Sequence, residues 1–341
     1  MAVPVKQRIL VTGGAGFIGS HLIRLWLRQD PHVTLVNFDK LTYCGDLSRL
    51  KEEKNNPRLH FFQGDVCDAA QVRQALEGCS AVVHLAAETH VDRSLIEGKA
   101  FFDTNTTGTY ILLEEARKKG IQKFLLVSTD EVYGSRPKGF FKENDPLNPS
   151  SPYSVSKTAA DLLTLSYAHS YSMHTGVTRG SNTFGPYQYP EKVIPLFVSN
   201  AISGQSLPLY GDGLQVRNWM HVEDHCRGIL HVFKKGRSGE AYNISTPFYL
   251  TNIDLTRRIL KILGKPSSLI KKVKDRTGHD RRYAITPKKI VALGWKPVCD
   301  FKESLRETVL WYKENSAWWE AIKDKKEDFK AYYAKAYQDR G

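Results

Sequence analysis

Residues 12–19 read Thr12-Gly13-Gly14-Ala15-Gly16-Phe17-Ile18-Gly19, and they lie between an apolar, β-branched run (8–12) and a stretch with helical spacing (17–28). Gly13, Gly16 and Gly19 form the pattern G-x-x-G-x-x-G. Glycines at these places permit a tight turn and let the backbone approach a pyrophosphate, while the start of a helix offers free N–H groups. The strand, loop and helix therefore predict a dinucleotide-binding loop.

Two acidic residues farther along the chain bear on which dinucleotide it is. Asp39 ends the second predicted strand, 20 residues after Gly19. A carboxylate there accepts hydrogen bonds from the adenosine ribose and repels a 2′-phosphate, which favours NAD over NADP; a turn-forming Asp is the alternative. Asp65, after the third strand, is placed either to hold the adenine edge or to cap the helix that begins near Ala69.

Strand-like and helix-like segments alternate over the first 180 residues. Strands are predicted over 8–12, 33–38, 59–63, 81–85, 124–128 and 175–179, and helices over 17–28, 70–76, 104–119 and 153–170. This alternation is typical of an α/β protein with a Rossmann-like, doubly wound parallel sheet. We expect an NAD-binding domain over residues 1–182 and a smaller C-terminal α/β substrate-binding domain over 183–341. The tail over 311–337 predicts one or two amphipathic helices.

Composition excludes several classes of protein. The chain has 341 residues, 41% hydrophobic and 25% charged, which argues against disorder, and its apolar runs are too short to span a bilayer. The five scattered cysteines show no metal-ligand spacing and predict reduced thiols, so we expect a cytoplasmic protein without a metal site and without an export signal. Of the net charge of +13, +12 lies in residues 231–341, where 25 Lys and Arg accompany 13 Asp and Glu. A solvated surface is the simplest explanation, and we expect neither a membrane nor a nucleic-acid partner.

A second motif places a Tyr and a Lys on one helix face. In Tyr153-Ser154-Val155-Ser156-Lys157 the two functional groups are four residues apart. An ammonium nearby stabilises a phenolate, so we expect a lowered pKa for Tyr153 and a role as base or acid towards a sugar hydroxyl. Together with the glycine-rich loop, this pair resembles the signature of the short-chain dehydrogenases/reductases, in their extended branch that acts on nucleotide sugars.

The segment Ser128-Thr129-Asp130-Glu131-Val132-Tyr133-Gly134 narrows the resemblance. Its adjacent carboxylates follow the fifth strand, where a doubly wound sheet places its active site. Neighbouring like charges separate in pKa, so one carboxyl can act as an acid and the other as a base. The segment resembles the dTDP-glucose 4,6-dehydratase family, and further similar segments follow in the expected order at 39–43, 85–94, 190–196, 207–213, 217–219 and 278–283.

The resemblance implies which residues form the sites. Cofactor contacts are expected from Gly13, Gly16, Phe17, Ile18, Gly19, Asp39, Lys40, Leu41, Thr42, Asp65, Val66, Leu85, Ala86, Ala87, Thr104, Tyr153 and Lys157. Nucleotide-sugar contacts are expected from Thr89, Thr129, Asn182, Lys192, Val193, Pro208, Leu209, Tyr210, Arg217, Asn243, Arg276, His279 and Tyr283. It also implies a homodimer, and a segment (221–246) that returns partly to the first domain.

The resemblance implies a reaction as well. Tightly bound NAD oxidises C4 of dTDP-glucose while Tyr153, supported by Lys157, takes the hydroxyl proton and Thr129 binds the C4 oxygen. Glu131 removes the C5 proton, Asp130 protonates the departing C6 hydroxyl, and hydride returns to C6. The product is dTDP-4-keto-6-deoxyglucose, and the cofactor is regenerated in each turnover.

Alternatives stay open at this stage. UDP-glucose or another nucleotide sugar could be the substrate. An epimerase or decarboxylase would also use Tyr153 and Lys157 but has no evident use for adjacent Asp130 and Glu131. An idle NAD-binding protein is a further possibility. The chain also departs from the family pattern at four places. Gly180 stands where a Cys is usual, Thr183 where an Asn is usual, Ser245 where a Gly is usual and Thr277 where a Pro is common.

Overall fold

The computed structural model describes residues 7–325 and 327–334. Its strands are β1 Gln7–Thr12, β2 Val33–Asp39, β3 Leu59–Gln63, β4 Ala81–His84, β5 Lys123–Thr129, β6 Thr175–Gly180, β7 Asn182–Phe184, β8 Leu207–Tyr210, β9 Val216–His221, β10 Glu240–Ile244, β11 Tyr249–Thr251 and β12 Ile270–Val273.

The helices are α1 Phe17–Gln29, α2 Ala69–Ala75, α3 Val91–Ile96, α4 Lys99–Phe101, α5 Gly108–Lys118, α6 Pro152–Tyr171, α7 Val193–Ile202, α8 Val222–Lys235, α9 Asn252–Leu263, α10 Lys288–Ala292, α11 Phe301–Glu314, α12 Ser316–Lys325 and α13 Glu327–Tyr333. Short 3-10 turns cover Leu47–Glu53, Asp130–Tyr133 and Ser267–Leu269, and a π-helical turn covers Phe102–Thr107. The tail predicted as one or two helices over 311–337 contains, as far as the structure describes it, the end of α11, all of α12 and all of α13.

A seven-stranded parallel sheet dominates the molecule, in the order β10-β6-β5-β4-β1-β2-β3. The order reverses beside β1, so the carboxyl ends of β1 and β4 border a crevice at one edge of the sheet. The predicted doubly wound fold is confirmed. Strand β10 and helix α8 come from the segment 221–246: the strand pairs with β6, and the helix covers the sheet beside α1.

Apolar side chains cover both faces of this sheet because its strands are buried on both sides. One face packs against α1 and α8 through residues such as Leu22, Trp26, Cys226 and Ile229. The other packs against α2, α5 and α6 through residues such as Val72, Leu112 and Ala160. A separate apolar core joins α7, α9 and α11 to the short strands of the C-terminal part.

Two features concern the surroundings of the protein. Among the described residues, the helices are all too short or too polar to cross a membrane. The five cysteines are free thiols, as the sequence predicts.

Candidate active site

One cavity of about 400 Å³ lies at the carboxyl edge of the parallel sheet, within the size range of ligand sites. It extends from the glycine-rich loop to the carboxylate turn that follows β5. The expected site residues that line it are Gly13, Gly16, Phe17, Ile18, Gly19, Asp39, Lys40, Thr42, Asp65, Val66, Leu85, Ala86, Ala87, Thr89, Thr104, Thr129, Asp130, Glu131, Tyr153, Lys157, Asn182 and Lys192. Predicted cofactor residues and predicted catalytic residues thus share one space.

The glycine-rich loop has the geometry that a dinucleotide needs. Gly13 has a φ of 70°, and a Cβ there would lie 2.7 Å from the backbone nitrogen of Ala86. Gly16 is the N-cap of α1 and has no side chain to cap the helix, so the first N–H groups of α1 face the cavity without a competing acceptor. The helix start is therefore suited to a pyrophosphate.

Asp39 combines the two roles that the sequence left as alternatives. Its Oδ2 accepts a hydrogen bond from the backbone N–H of Ala15 at 2.9 Å, and its Oδ1 accepts one from Leu41 at 2.8 Å. Leu41 itself has a φ of 57°. The carboxylate also lines the cavity, so it both shapes the loop and faces the space where a ribose would bind. Asp65 lies nearby, in an ion pair with Lys40 at 2.7 Å.

Asp130 and Glu131 are held in a single 3-10 turn immediately after β5. The hydroxyl of Thr129 accepts a hydrogen bond from the N–H of Glu131 at 3.2 Å and so caps the turn. Below it, the hydroxyl of the buried Tyr133 accepts a hydrogen bond from Arg179 at 2.6 Å, and Arg179 forms a buried bidentate ion pair with Asp161. This support fixes the direction of the two carboxylates.

Asn243 belongs to this support, which corrects its predicted place in the nucleotide-sugar site. It lies in β10, fully buried, and its Oδ1 accepts a hydrogen bond from the Tyr133 hydroxyl at 2.9 Å. Its amide group donates to the carbonyl oxygen of Phe141. Since both ends of the side chain are bound to protein groups away from the cavity, Asn243 holds the carboxylate turn instead of a ligand.

The two adjacent carboxyls have unequal surroundings. Burial, and then the charge of Glu131, raise the pKa of Asp130 to about 8. Burial also raises the pKa of Glu131, but the charges of Arg276, Arg217 and Lys192 oppose that shift. The raised pKa of Asp130 favours its protonated form at neutral pH, which is the state that an acid needs, while the three cations act in favour of the ionised form of Glu131.

The expected lowering of the Tyr153 pKa is wrong for this arrangement. Burial and the charge of Glu131 raise that pKa well above its usual value. The ammonium of Lys157 points elsewhere, since it donates to the carbonyl oxygen of Val127 at 2.9 Å, and burial lowers its own pKa to about 8. The spacing places both residues on one face of α6, but Lys157 binds a carbonyl oxygen of the neighbouring strand β5.

Several cavity-lining polar groups escaped sequence reasoning. Ser128 Oγ, Ser181 Oγ and His225 Nε2 are buried without a hydrogen-bond partner among the described residues, as is Oδ1 of the predicted Asn182. Buried polar atoms cost free energy unless they are paired, so such a group of atoms around one cavity indicates a polar ligand. Each follows or faces the end of a central strand, and that position is the signal that could have identified them.

The predicted nucleotide-sugar residues divide into two groups. Thr89, Asn182 and Lys192 line the cavity, and the ammonium of Lys192 donates to the carbonyl oxygen of Thr89 at 2.7 Å. Tyr283 is within 3.4 Å of Glu131 and stacks under the guanidinium of Arg217. Tyr283 and Arg217 lie outside the lining of the cavity, as do the remaining residues of the C-terminal part, Val193, Pro208, Leu209, Tyr210, Arg276 and His279.

Buried ion pairs connect the C-terminal part to α3. Asp92 accepts a hydrogen bond from the hydroxyl of Tyr210 at 2.9 Å and lies 3.4 Å from Arg276. Arg93 forms an ion pair with the buried Glu191 at 2.8 Å. These contacts hold Arg276 and Tyr210 against α3, outside the lining of the cavity. Among the residues that the structure describes, His, Cys, Asp and Glu form no group suited to a metal ion.

Comparisons with known proteins point in one direction. Residues 10–308 match the family model described as GDP-mannose 4,6 dehydratase. A dTDP-glucose 4,6-dehydratase from an Actinoplanes species is 46% identical, over 92% of this chain and 100% of its own. A solved dTDP-glucose 4,6-dehydratase from Streptomyces venezuelae, with NAD bound, has a TM-score of 0.91 and 47% identity, covering 93% of this chain and 100% of that one.

The alternative enzyme class is more distant. A UDP-glucose 4-epimerase from Thermus thermophilus, solved with NAD, has a TM-score of 0.84 but 29% identity, covering 91% of this chain and 100% of its own. The fold is therefore shared between both classes, and the similarity is greater to the dehydratases.

Proposed function

This chain belongs to the dTDP-glucose 4,6-dehydratase family of extended short-chain dehydrogenases/reductases, and from that premise we propose that it converts dTDP-glucose to dTDP-4-keto-6-deoxyglucose with bound NAD. The observation that carries the proposal is the juxtaposition of Asp130 and Glu131 with Tyr153 and Lys157 in the cavity that the glycine-rich loop borders. An epimerase has no use for the carboxylate pair, whereas an elimination needs an acid and a base.

The residues present fit NAD. The cradle at Gly13, the uncapped start of α1 and the unpartnered polar atoms at the far end of the cavity each match a part of a dinucleotide. Asp39 and Asp65 would hold the adenosine, and Tyr153 and Lys157 the nicotinamide ribose. When bound, the cofactor takes up hydride from C4 of the sugar and returns it to C6.

The side chains of this protein then divide the proton transfers. Tyr153 takes the proton of the C4 hydroxyl as the phenolate, because the positive charge that NAD would bring to this end of the cavity opposes the rise in pKa that burial causes, and Thr129 binds the C4 oxygen. Once C4 is a ketone, the C5 proton is acidic and Glu131 removes it. Asp130 gives its proton to the C6 oxygen, which leaves as water, and Glu131 gives its proton back to C5 as hydride returns to C6. Tyr153 is buried, so the reaction proceeds away from bulk solvent.

The diphosphate needs cations at the open side of the cavity. Lys192 lines the cavity, and the charges of Arg217 and Arg276 act on Glu131. We assign these three residues to the diphosphate and the sugar, because guanidinium groups bind phosphate oxygens in pairs. Substrate binding would require Arg276 to exchange its contact with Asp92 for one with the diphosphate.

The decisive test is mass spectrometry of reactions with purified protein, catalytic NAD and, separately, dTDP-glucose, UDP-glucose and GDP-mannose. We expect the loss of one water from dTDP-glucose with no net NADH, because each turnover regenerates the cofactor. Unchanged mass with altered sugar stereochemistry would indicate epimerisation instead. If only UDP-glucose or only GDP-mannose lost water, the proposed reaction type would hold, but the substrate would be that nucleotide sugar instead of dTDP-glucose.

A cytoplasmic location stays a prediction from the cysteine pattern.

We also propose that the protein forms a homodimer through α5 and α6. Tyr110 on α5 and Val155 and Leu162 on α6 are large apolar residues on the surface, and Leu162 is 54% exposed. The two helices pack side by side, so two copies related by a two-fold axis can bury the same face.

Charging that face should separate the subunits. We expect the wild-type protein to have twice the chain mass of 38.7 kDa by light scattering, and Leu162→Glu to shift it towards the monomer because two buried carboxylates would face each other. Val298→Glu is the matched control, since Val298 is 62% exposed in a loop elsewhere and should leave the mass unchanged. A monomeric wild-type protein would contradict the proposal.

A further inference from the structure

His225 is a buried group at the cavity that the proposed reaction leaves without a task. It lies in the first turn of α8, is 3% exposed and lines the cavity. Its Nδ1 is 2.8 Å from the hydroxyl oxygen of Thr183, while its Nε2 is buried without a partner among the described residues. An unpaired buried ring nitrogen beside a ligand cavity indicates a contact that the ligand completes.

Two of the four departures from the family pattern, Gly180 and Thr183, touch this ring. A Cβ on residue 180 would lie 2.5 Å from Nε2 of His225, so the glycine is what leaves room for the imidazole. Thr183, in place of the usual Asn, supplies the hydroxyl that binds the other ring nitrogen. Gly180, Thr183 and His225 therefore form one set, although 42 residues separate the Thr from the His.

The position of the ring identifies the part of the ligand that it faces. Gly180 pairs with Thr129 across β6 and β5, which puts His225 at the end of the cavity that holds Tyr153 and Lys157. Helix α8 also packs on α1, where Cys226 lies against the carbonyl of Ile18 in the dinucleotide loop. The ring is thus on the cofactor side of the cavity, at the reactive end.

The hydrogen bonds fix the tautomer. The Thr183 hydroxyl has one proton and donates it to the carbonyl oxygen of Ser181 at 3.1 Å. Its oxygen must then accept the proton of His225 Nδ1, which leaves a lone pair on Nε2. Burial lowers the pKa of His225 to about 4, so the ring is neutral at physiological pH.

We propose that Nε2 of His225 accepts a hydrogen bond from the amino group of the nicotinamide carboxamide, with Thr183 fixing the tautomer and Gly180 leaving the nitrogen accessible. This inference rests on the proposed function only in requiring NAD as the ligand. The contact would hold the carboxamide in one orientation and thereby fix the rotation of the nicotinamide ring relative to Tyr153.

A ligand-side experiment tests the contact in the wild-type protein. After removal of bound cofactor, the Kd values of NAD, of 3-acetylpyridine adenine dinucleotide and of ADP-ribose are measured by calorimetry. The acetylpyridine analogue has a methyl group where the carboxamide has its amino group, so we expect it to bind about tenfold more weakly than NAD. Equal affinity for the two would overturn the proposal. Wild-type protein that binds none of the three ligands would overturn the proposed function and the inference with it.

A variant-side experiment separates this contact from a packing role. His225→Phe keeps a planar ring but has no acceptor, so we expect it to lose the preference for NAD over the analogue while its affinity for ADP-ribose is unchanged. His225→Gln can place an amide oxygen near the position of Nε2 and should restore part of the preference. A uniform loss of affinity for all three ligands would show a structural role for His225 and overturn the proposal.

Discussion

With Glu131 replaced by Gln, we expect the protein to oxidise dTDP-glucose at C4 but to release almost no water, so that NADH accumulates on the enzyme. In the proposed reaction Glu131 is the base for the C5 proton, and the charges of Arg276, Arg217 and Lys192 favour its ionised form. An amide has no such basicity, and removal of a general base costs about 10²- to 10⁴-fold in rate. Single-turnover absorbance of NADH measures the oxidation, and mass spectrometry measures the dehydration.

Asp130→Asn should also slow dehydration, but by slowing cleavage of the C6–O bond instead of removal of the C5 proton. Because Asp130 donates its proton to the C6 oxygen in the proposed reaction, this variant should still exchange the C5 hydrogen with deuterated solvent, whereas Glu131→Gln should not. The pKa of Asp130 is raised to about 8, so its acid form predominates below that value and is lost as the pH rises through it. Wild-type dehydration should therefore fall above about pH 8, and Asp130→Asn should lack this limb. Full dehydration by either variant would refute the role of that residue.

The second large effect is expected for Tyr153→Phe, which should abolish the oxidation itself. Without the phenol no group takes the C4 proton, so we expect no NADH signal and a rate lower by about 10²- to 10⁴-fold. The variant should still bind dTDP-glucose, because the assigned cations lie elsewhere in the site. The measurement is the single-turnover NADH signal together with a calorimetric Kd for the substrate.

Tyr171→Phe is the matched control, since Tyr171 lies in the same helix and is 52% exposed. It should leave the oxidation unchanged. A Tyr153→Phe protein that oxidised the sugar at the wild-type rate would show that another group is the base. In that case the raised pKa of Tyr153 would describe a phenol that never ionises.

Local patterns predicted the fold because each one depends on neighbours in sequence. The strand over 59–63 has the predicted bounds, and the others differ by one or two residues. The predicted helix over 104–119 instead begins with a π-helical turn, Phe102–Thr107, before α5. Nothing in the residue pattern specifies that change of pitch. It brings Thr104 to the cavity, and such turns occur frequently at functional sites.

The site was predictable where a motif carries both chemistry and geometry, as in the glycine-rich loop and the carboxylate turn. It was not predictable where two distant segments decide a contact. Lys157 binds the carbonyl of Val127, 30 residues away, and Asn243 turns to Tyr133, 110 residues away. Which partner a buried polar group finds depends on tertiary packing, and spacing along the chain does not encode it.

The two backbone hydrogen bonds of Asp39 have a consequence for any attempt to change the coenzyme. Exchanging an acidic residue at this position for a small neutral one is the obvious route to accepting a 2′-phosphate. Here the same carboxylate holds Ala15 and Leu41, so the exchange would also release the loop that receives the pyrophosphate. The coenzyme preference and the shape of the loop therefore depend on the same side chain, Asp39. A switch to NADP would need a second substitution that restores the loop, and an evolutionary path through single changes would first pass through a weaker binder of either coenzyme.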